Sequence, residues 1–427
     1  MQIKRDYSQP FFSTRRRRRT GGSRFLFLYG LFVGAFLVVV YTQFDRLQLA
    51  ALDAVGMAPT STPFASTMAT GGADAFQNGD VALAAEMFGQ AHRQQPNNLD
   101  YAYEYGKMLI ELDQAEEVLA PQRNLDNMSL ADWAINLNPL DPRGYALKTK
   151  ALVWTGAAAE AIPIGVSGLE QDNQFSPLHA ALGRAYTAIG RYQQGLTHGE
   201  TAVTNDPLDV DARRSYAYSL IWVGAREEAI YQLEDAISIN PNLTASYFEL
   251  AAQYLAANQD ELAIATYERV LSMDPRNERA FLRLCEAYNK VGQNDRAQGY
   301  CEDALNINPE YAPAWMRVGM ARYTRRNYEG AIEAFNNCVA FGDSEFPQIE
   351  CWYLRGLAHY YLGECDQAWT ILTDSLPMAE QLADNDLLIA NIREGLRLTT
   401  VSCANYAGRA LPTDIPPTPI PPTPIGG

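Results

Sequence analysis

The stretch TASYFELAAQYLAANQDELAIATYERVLSMDPRN, Thr244–Asn277, is 34 residues long, and the chain on either side repeats its pattern. Pro207, Pro241, Pro275 and Pro309 fall 34 residues apart, each after Asp or Asn in TNDP, SINP, SMDP and NINP. Ala229, Ala263, Ala297 and Ala331 keep the same period, as do Gly156, Gly190 and Gly224, with Gly292 two periods on. A fixed period of this length marks stacked copies of one supersecondary unit, because a single copy cannot bury its apolar face. In the copy REEAIYQLEDAISINP, Ala229, Ile230, Leu233, Ala236 and Ile237 follow the 3.6-residue spacing of a helix face. Glycine midway releases a turn, and proline stops the second helix. Each unit therefore reads as an antiparallel helical hairpin.

In 34-residue windows the copies run 142–175, 176–209, 210–243, 244–277, 278–311 and 312–345, with another at 349–382 after a three-residue insertion. An earlier window fits 65–98, and 99–141 starts in phase but carries extra residues before Pro139. Tyr247, Ala251, Tyr254, Ala263, Tyr267 and Pro275 in one window, and Trp315, Gly319, Ala331 and Phe335 in another, fall on a pattern of large, small and turn positions that resembles the tetratricopeptide repeat family. The resemblance covers roughly 65–382, with nine units and the second irregular. It implies an all-α fold, a right-handed α-solenoid of helix-turn-helix repeats. A C-terminal capping helix is expected within 383–408, with Leu387, Leu388, Ile392 and Leu396 on its inner face.

The 427 residues carry a formal net charge of −16, but residues 1–24 hold eight Lys/Arg against Asp6, so the remainder carries −23. An acidic body repels nucleic acid, and no nucleic-acid partner is expected. From Phe25 to Phe44 there is no charged residue. As a helix this run is about 30 Å long, enough to cross a bilayer. The arginine block before it predicts a single span with residues 1–24 in the cytoplasm and the repeats outside, in an arrangement that fits a bacterial cell membrane. Gly30 and Gly34 within the span are candidates for helix pairing and a homodimer. Residues 45–64 read as a linker. Residues 409–427 form a tail whose Ile-Pro-Pro-Thr-Pro unit occurs twice, at 415–419 and 420–424, and proline at this density favours extended polyproline II.

All six cysteines lie in the C-terminal third, without C-x-x-C spacing, and four histidines are scattered, so no zinc site is expected. In the repeat register Cys285 and Cys301 face each other across one hairpin. Cys338 and Cys351 flank a turn, and Cys365 begins the last second helix, near the cap that holds Cys403. An oxidising exterior favours three disulfides in that pairing over the alternative of six buried thiols. Asn127-Met-Ser129 and Asn242-Leu-Thr244 match glycosylation acceptors.

No catalytic motif and no cofactor-binding motif is present, so the chain is read as non-enzymatic. The resemblance implies a scaffold that binds an extended protein or peptide segment on the concave face formed by the first helices. The cations expected there are Arg143, Lys150, Arg184, Arg214, Arg279, Arg283, Lys290 and Arg317, against Asp211, Glu249, Glu286 and Glu350. The aromatics are Trp154, Tyr218, Trp222, Phe248, Tyr323, Tyr353, Tyr360 and Tyr361. Such a lining suits an acidic or aromatic partner. The second reading is an accessory component of envelope polysaccharide assembly that stacks glycans on these rings.

Overall fold

The computed structural model describes residues 64–116, 121–342, 348–381 and 385–409. The chain divides into two compact units at Pro63/Phe64, and everything described belongs to the second. The expected span at 25–44, its Gly30 and Gly34, and the tail from residue 410 lie outside the described residues. Among those described, no helix is long and apolar enough to cross a membrane.

Among the described residues nineteen α-helices follow one another without a strand. They pair as hairpins: α1 (Ala65–Gln77) with α2 (Val81–Gln94), α3 (Leu99–Glu116) with α4 (Pro121–Leu137), and α5 (Pro142–Trp154) with α6 (Ala158–Leu169). Next come α7 (Ser176–Ala188) with α8 (Tyr192–Asn205), α9 (Val210–Trp222) with α10 (Arg226–Ile239), and α11 (Thr244–Ala256) with α12 (Asp260–Met273). The last three are α13 (Glu278–Lys290) with α14 (Asn294–Ile307), α15 (Ala312–Thr324) with α16 (Tyr328–Phe341), and α17 (Ile349–Tyr361) with α18 (Cys365–Glu380). A single helix, α19 (Asp386–Ser402), closes the series.

The recurrent residues each have a physical task. Asp206, Asn240, Asp274 and Asn308 accept a hydrogen bond from the backbone N–H two residues on, at 3.1–3.2 Å, which folds the turn around each proline. The proline carbonyl then accepts from the large residue at the fourth position of the next hairpin: Tyr145 on Pro139 at 3.1 Å, Tyr247 on Pro241 at 2.8 Å, and Trp315 on Pro309 at 2.8 Å. These large side chains thus fill space with their rings and fix the inter-repeat angle with their polar tips. Ala229, Ala263 and Ala331 are fully buried where paired helices approach, and Tyr267 and Phe335 fill the room beside them. The turn inside the hairpin needs a left-handed residue. Glycine supplies it at 79, 156, 190, 224, 292 and 363, whereas Asn258 (φ 57°) and Arg326 (φ 60°) adopt it despite their side chains.

Ile392 and Leu396 of α19 are fully buried against Ile349, Leu372 and Leu376, with Leu388 packed at the margin. Leu387 does not join them: it is 77% exposed, because the inner face of α19 follows Leu388, Ile392, Leu396 and Thr399 and leaves the residue before Leu388 pointing outward. The cysteines pair as Cys285–Cys301, Cys338–Cys351 and Cys365–Cys403 with sulfurs at bonding distance and Cα separations of 5.3, 6.3 and 6.0 Å. The last pair ties the closing helix to the last hairpin.

Candidate partner-binding trough

Helix α3 changes the concave face that the sequence describes. It has 18 residues where the other first helices have 13, and its C-terminal half lies against α5, α9, α11 and α13. Arg214, only 2% exposed, holds Glu249 with a fork, Nε to Oε2 at 3.0 Å and Nη2 to Oε1 at 2.9 Å. Its Nη1 reaches Glu111 of α3 at 3.0 Å, and its Nη2 reaches Gln114 at 2.9 Å. Lys150 bridges Glu111 at 2.8 Å and Asp211 at 3.0 Å. Arg279 donates to the Gln114 carbonyl at 3.1 Å and lies 4.0 Å over the ring of Phe248. Arg143 holds Asp141 at 2.6 Å and also pairs with Asp100 of α3.

These contacts decide the charge states. Burial pushes the Glu111 carboxyl up, but Lys150 and Arg214 outweigh it and hold it below the usual carboxylate range. Burial likewise opposes the charge on Asp211, and Lys150, Arg184 and Arg214 carry it well below that range. Three cations, Lys150, Arg184 and Arg214, thus meet three carboxylates, Glu111, Asp211 and Glu249. In the N-terminal half of the trough these charges pair with one another rather than forming a bare basic surface. Arg214 and Phe248 (4% exposed) are buried, and an incoming ligand meets neither.

The first hairpin fastens the same closure. Asn240 donates to the Phe76 carbonyl at 3.2 Å and Asn242 to the Gln77 carbonyl at 3.0 Å. The amide nitrogen of the Asn242 glycosylation motif is therefore engaged, and Asn127 is only 1% exposed within α4. Val81, Leu243 and Ala245 bury together beneath this contact.

The trough continues beyond α3. Arg283 and Arg317 converge on one carboxylate, as the register suggests, but it is the chain's own Glu286: Arg283 Nη1 lies 2.8 Å from Oε2, and Arg317 Nε and Nη2 lie 2.8 and 2.5 Å from Oε1. Arg279, four residues before Arg283 on the same helix, turns to Gln114 instead. Beside Arg317 is a cavity of about 330 Å³, lined among others by Asn289, Gln298, Met320 and the Cys285–Cys301 pair. A smaller one of about 270 Å³ is lined by Trp154, Lys150, Arg184, Asp211 and Tyr218. Arg184 donates to Ser215 Oγ at 2.9 Å and lies over the Tyr218 ring. Tyr353 packs half-buried against the C-terminal core.

Other expected trough residues sit at the edge where the hairpins turn. Trp222 stacks on Tyr192 with ring centroids 5.9 Å apart, and Tyr361 stacks on Tyr328 at 5.0 Å with Tyr323 edge-on to both. Lys290, which holds Asp260 at 2.7 Å, occupies the same register. In these three places the first residue of a second helix meets the last residue of the following first helix. The signal in the sequence is a spacing of 30 residues (192 to 222, 260 to 290), or 33 across the insertion (328 to 361). The histidines are not all apart either: His179 Nδ1 lies 2.9 Å from His198 Nδ1.

Stacked helical hairpins with an internally lined concave face define a helical-repeat protein. Residues 254–316 match the family model described as tetratricopeptide repeat. The chain is 22% identical over 213 residues to the TPR repeat-containing protein YpiA of Bacillus subtilis, a match covering 44% of this chain and 50% of the relative, so it spans about half the length of that protein. Among solved structures, the Cut9–Hcn1 complex aligns over 77% of this chain and 76% of its own with 15% identity and a TM-score of 0.47. YrrB, described as a TPR protein with an unusual peptide-binding site, aligns over 43% of this chain and 95% of its own with 20% identity and a TM-score of 0.33.

Proposed function

We propose that this protein is a non-enzymatic, membrane-anchored scaffold that binds an extended acidic segment of a partner protein on the open part of the concave face, around Arg283, Glu286 and Arg317. The observation that carries this reading is α3. It lies in the trough as a ligand would, and its Glu111 and Gln114 are gripped by side chains from three alternate repeats, Lys150, Arg214 and Arg279. The trough thus recognises carboxylate and amide groups presented on a segment that runs across the repeats. Past α3, Arg283 and Arg317 both reach the carboxylate of Glu286, and Arg317 lines a cavity large enough for a side chain.

The uncharged run at 25–44 behind an arginine block supports an anchor with the repeats outside the cytoplasm. Three cysteine pairs at bonding distance support an oxidising location, where the disulfides would form. A reporter fused after Gly427 should be active only outside the cytoplasm; cytoplasmic activity would sink both the topology and the oxidised cysteines. The binding site is tested by capturing partners with the full chain by crosslinking, then repeating with Arg283→Glu and Arg317→Glu combined. Both side chains are about one-third exposed, so folding should survive, and binding should weaken and lose salt dependence. Undiminished capture would place the partner elsewhere.

A further inference from the structure

The tyrosine cluster at the last hairpins has an occupant within reach. Tyr328 and Tyr361 stack 5.0 Å apart, Tyr323 stands edge-on to both, and Tyr360 lies against Tyr361 at 5.3 Å. Tyr361 is 50% exposed at the rim of this group. The end of the chain is fastened beside it. Tyr360 Oη and Ser402 Oγ are 2.8 Å apart, and Cys403 is joined to Cys365, four residues after Tyr361. Tyr406 donates to Asp366 at 2.8 Å and stacks on Trp369, and Arg409 lies 4.4 Å over the Tyr406 ring. The chain is therefore held against the last hairpin up to Arg409, and 18 residues follow.

Those residues, ALPTDIPPTPIPPTPIGG, contain the doubled Ile-Pro-Pro-Thr-Pro unit. A chain of this composition offers proline rings and carbonyls that no internal hydrogen bond uses. Clustered aromatic rings with hydroxyl groups are the surface that such chains bind. At about 3.1 Å per residue the first unit lies within roughly 30 Å of Arg409. Among the described residues, the exposed stack of Tyr192 on Trp222 is four hairpins away.

We propose that residues 410–427 of the same chain dock on the Tyr323–Tyr328–Tyr361 cluster. Tethering decides between this chain's tail and that of a second copy. A short linker gives an effective concentration in the mM range, which a separate molecule does not reach. This contact is independent of the partner-binding reading, since neither Arg283 nor Arg317 belongs to the cluster.

The test uses the full chain in detergent with p-benzoylphenylalanine in place of Tyr361. After irradiation and reduction, trypsin cuts behind Arg409 and releases 410–427 as one peptide. Mixing ¹⁴N- and ¹⁵N-labelled protein separates capture within a chain from capture between chains. The expected result is a same-label crosslink to 410–427, lost when Pro416, Pro417, Pro421 and Pro422 are changed to Ser. The same photoprobe in place of Trp222 should not capture the tail. As a check free of the photoprobe, Tyr361 in otherwise native protein should nitrate faster in the proline variant than in the parent. Mixed-label crosslinks would assign the surface to a second copy and overturn the proposal. No crosslink to 410–427, with equal nitration rates, would overturn it as well.

Discussion

Arg326 occupies a position where six of the other hairpins carry glycine, and it does so at φ 60°. A left-handed conformation costs an L-residue roughly 1–2 kcal/mol. Arg326→Gly should therefore raise the denaturation midpoint, offset in part by the entropy that glycine adds to the unfolded chain, for a net gain of about 0.5–1 kcal/mol. Gly363→Ala, at φ 78°, should lose a comparable amount. A second residue-scale device is the histidine pair. His179 Nε2 donates to the Asn173 carbonyl, which leaves Nδ1 of a neutral His179 as the acceptor for His198 Nδ1–H. Burial, and then the neighbouring His179, push His198 down to about 4. Its pKa is thus lower folded than unfolded, so between about pH 6.5 and 4 the unfolded chain binds the extra proton. Stability should fall as pH drops through that window, and the slope should flatten in His198→Gln, as followed by thermal unfolding at a series of pH values.

At the scale of elements, one register is filled by different chemistry from repeat to repeat. Tyr192–Trp222 and Tyr328–Tyr361 stack, whereas Asp260–Lys290 is an ion pair with Lys290 39% exposed. An exposed ion pair contributes about 0–1 kcal/mol, because water screens it and two long side chains must be ordered. An aromatic pair contributes about 0.5–1.5 kcal/mol beyond the area it buries. Trp222→Ala should therefore destabilise the α7–α10 region by about 1–2 kcal/mol in urea unfolding, and Lys290→Ala should cost less. Equal costs would mean that the backbone turn, not the edge contact, sets the spacing of neighbouring hairpins.

At the scale of the folded repeat unit, the closure depends on polar groups far apart in sequence. Removing one partner of a buried ion pair costs about 3–5 kcal/mol, since the other charge stays buried. Glu111→Ala leaves Lys150 and Arg214 with fewer carboxylates in a dry site. The loss should be local: amide exchange should accelerate across α3 and at Asn240–Leu243, while α15 to α19 keep their protection. Protection lost evenly along all hairpins would show instead that the closure and the stack unfold as one unit.

The sequence by itself determined the hairpins. Their 34-residue period, the Asn/Asp-Pro turns, the small residues at helix crossings and the cysteine register all follow from contacts within a repeat or between neighbours, which a periodic sequence records. The tertiary structure alone decided what the concave face is. Arg214 and Glu111 are 103 residues apart, and Asn242 and Gln77 are 165 apart. No period connects them, because they meet only where the stack curls back on its own first hairpins. The sequence carried one trace of this, the extra residues between Leu99 and Pro139 that break the register. Those residues lengthen α3, carry Glu111 and Gln114 across the trough, and turn arginines that read as an exposed ligand surface into the inside of the protein. A repeat pattern states which side chains share a face, but whether that face meets water, a partner or another part of the chain depends on how far the stack curves.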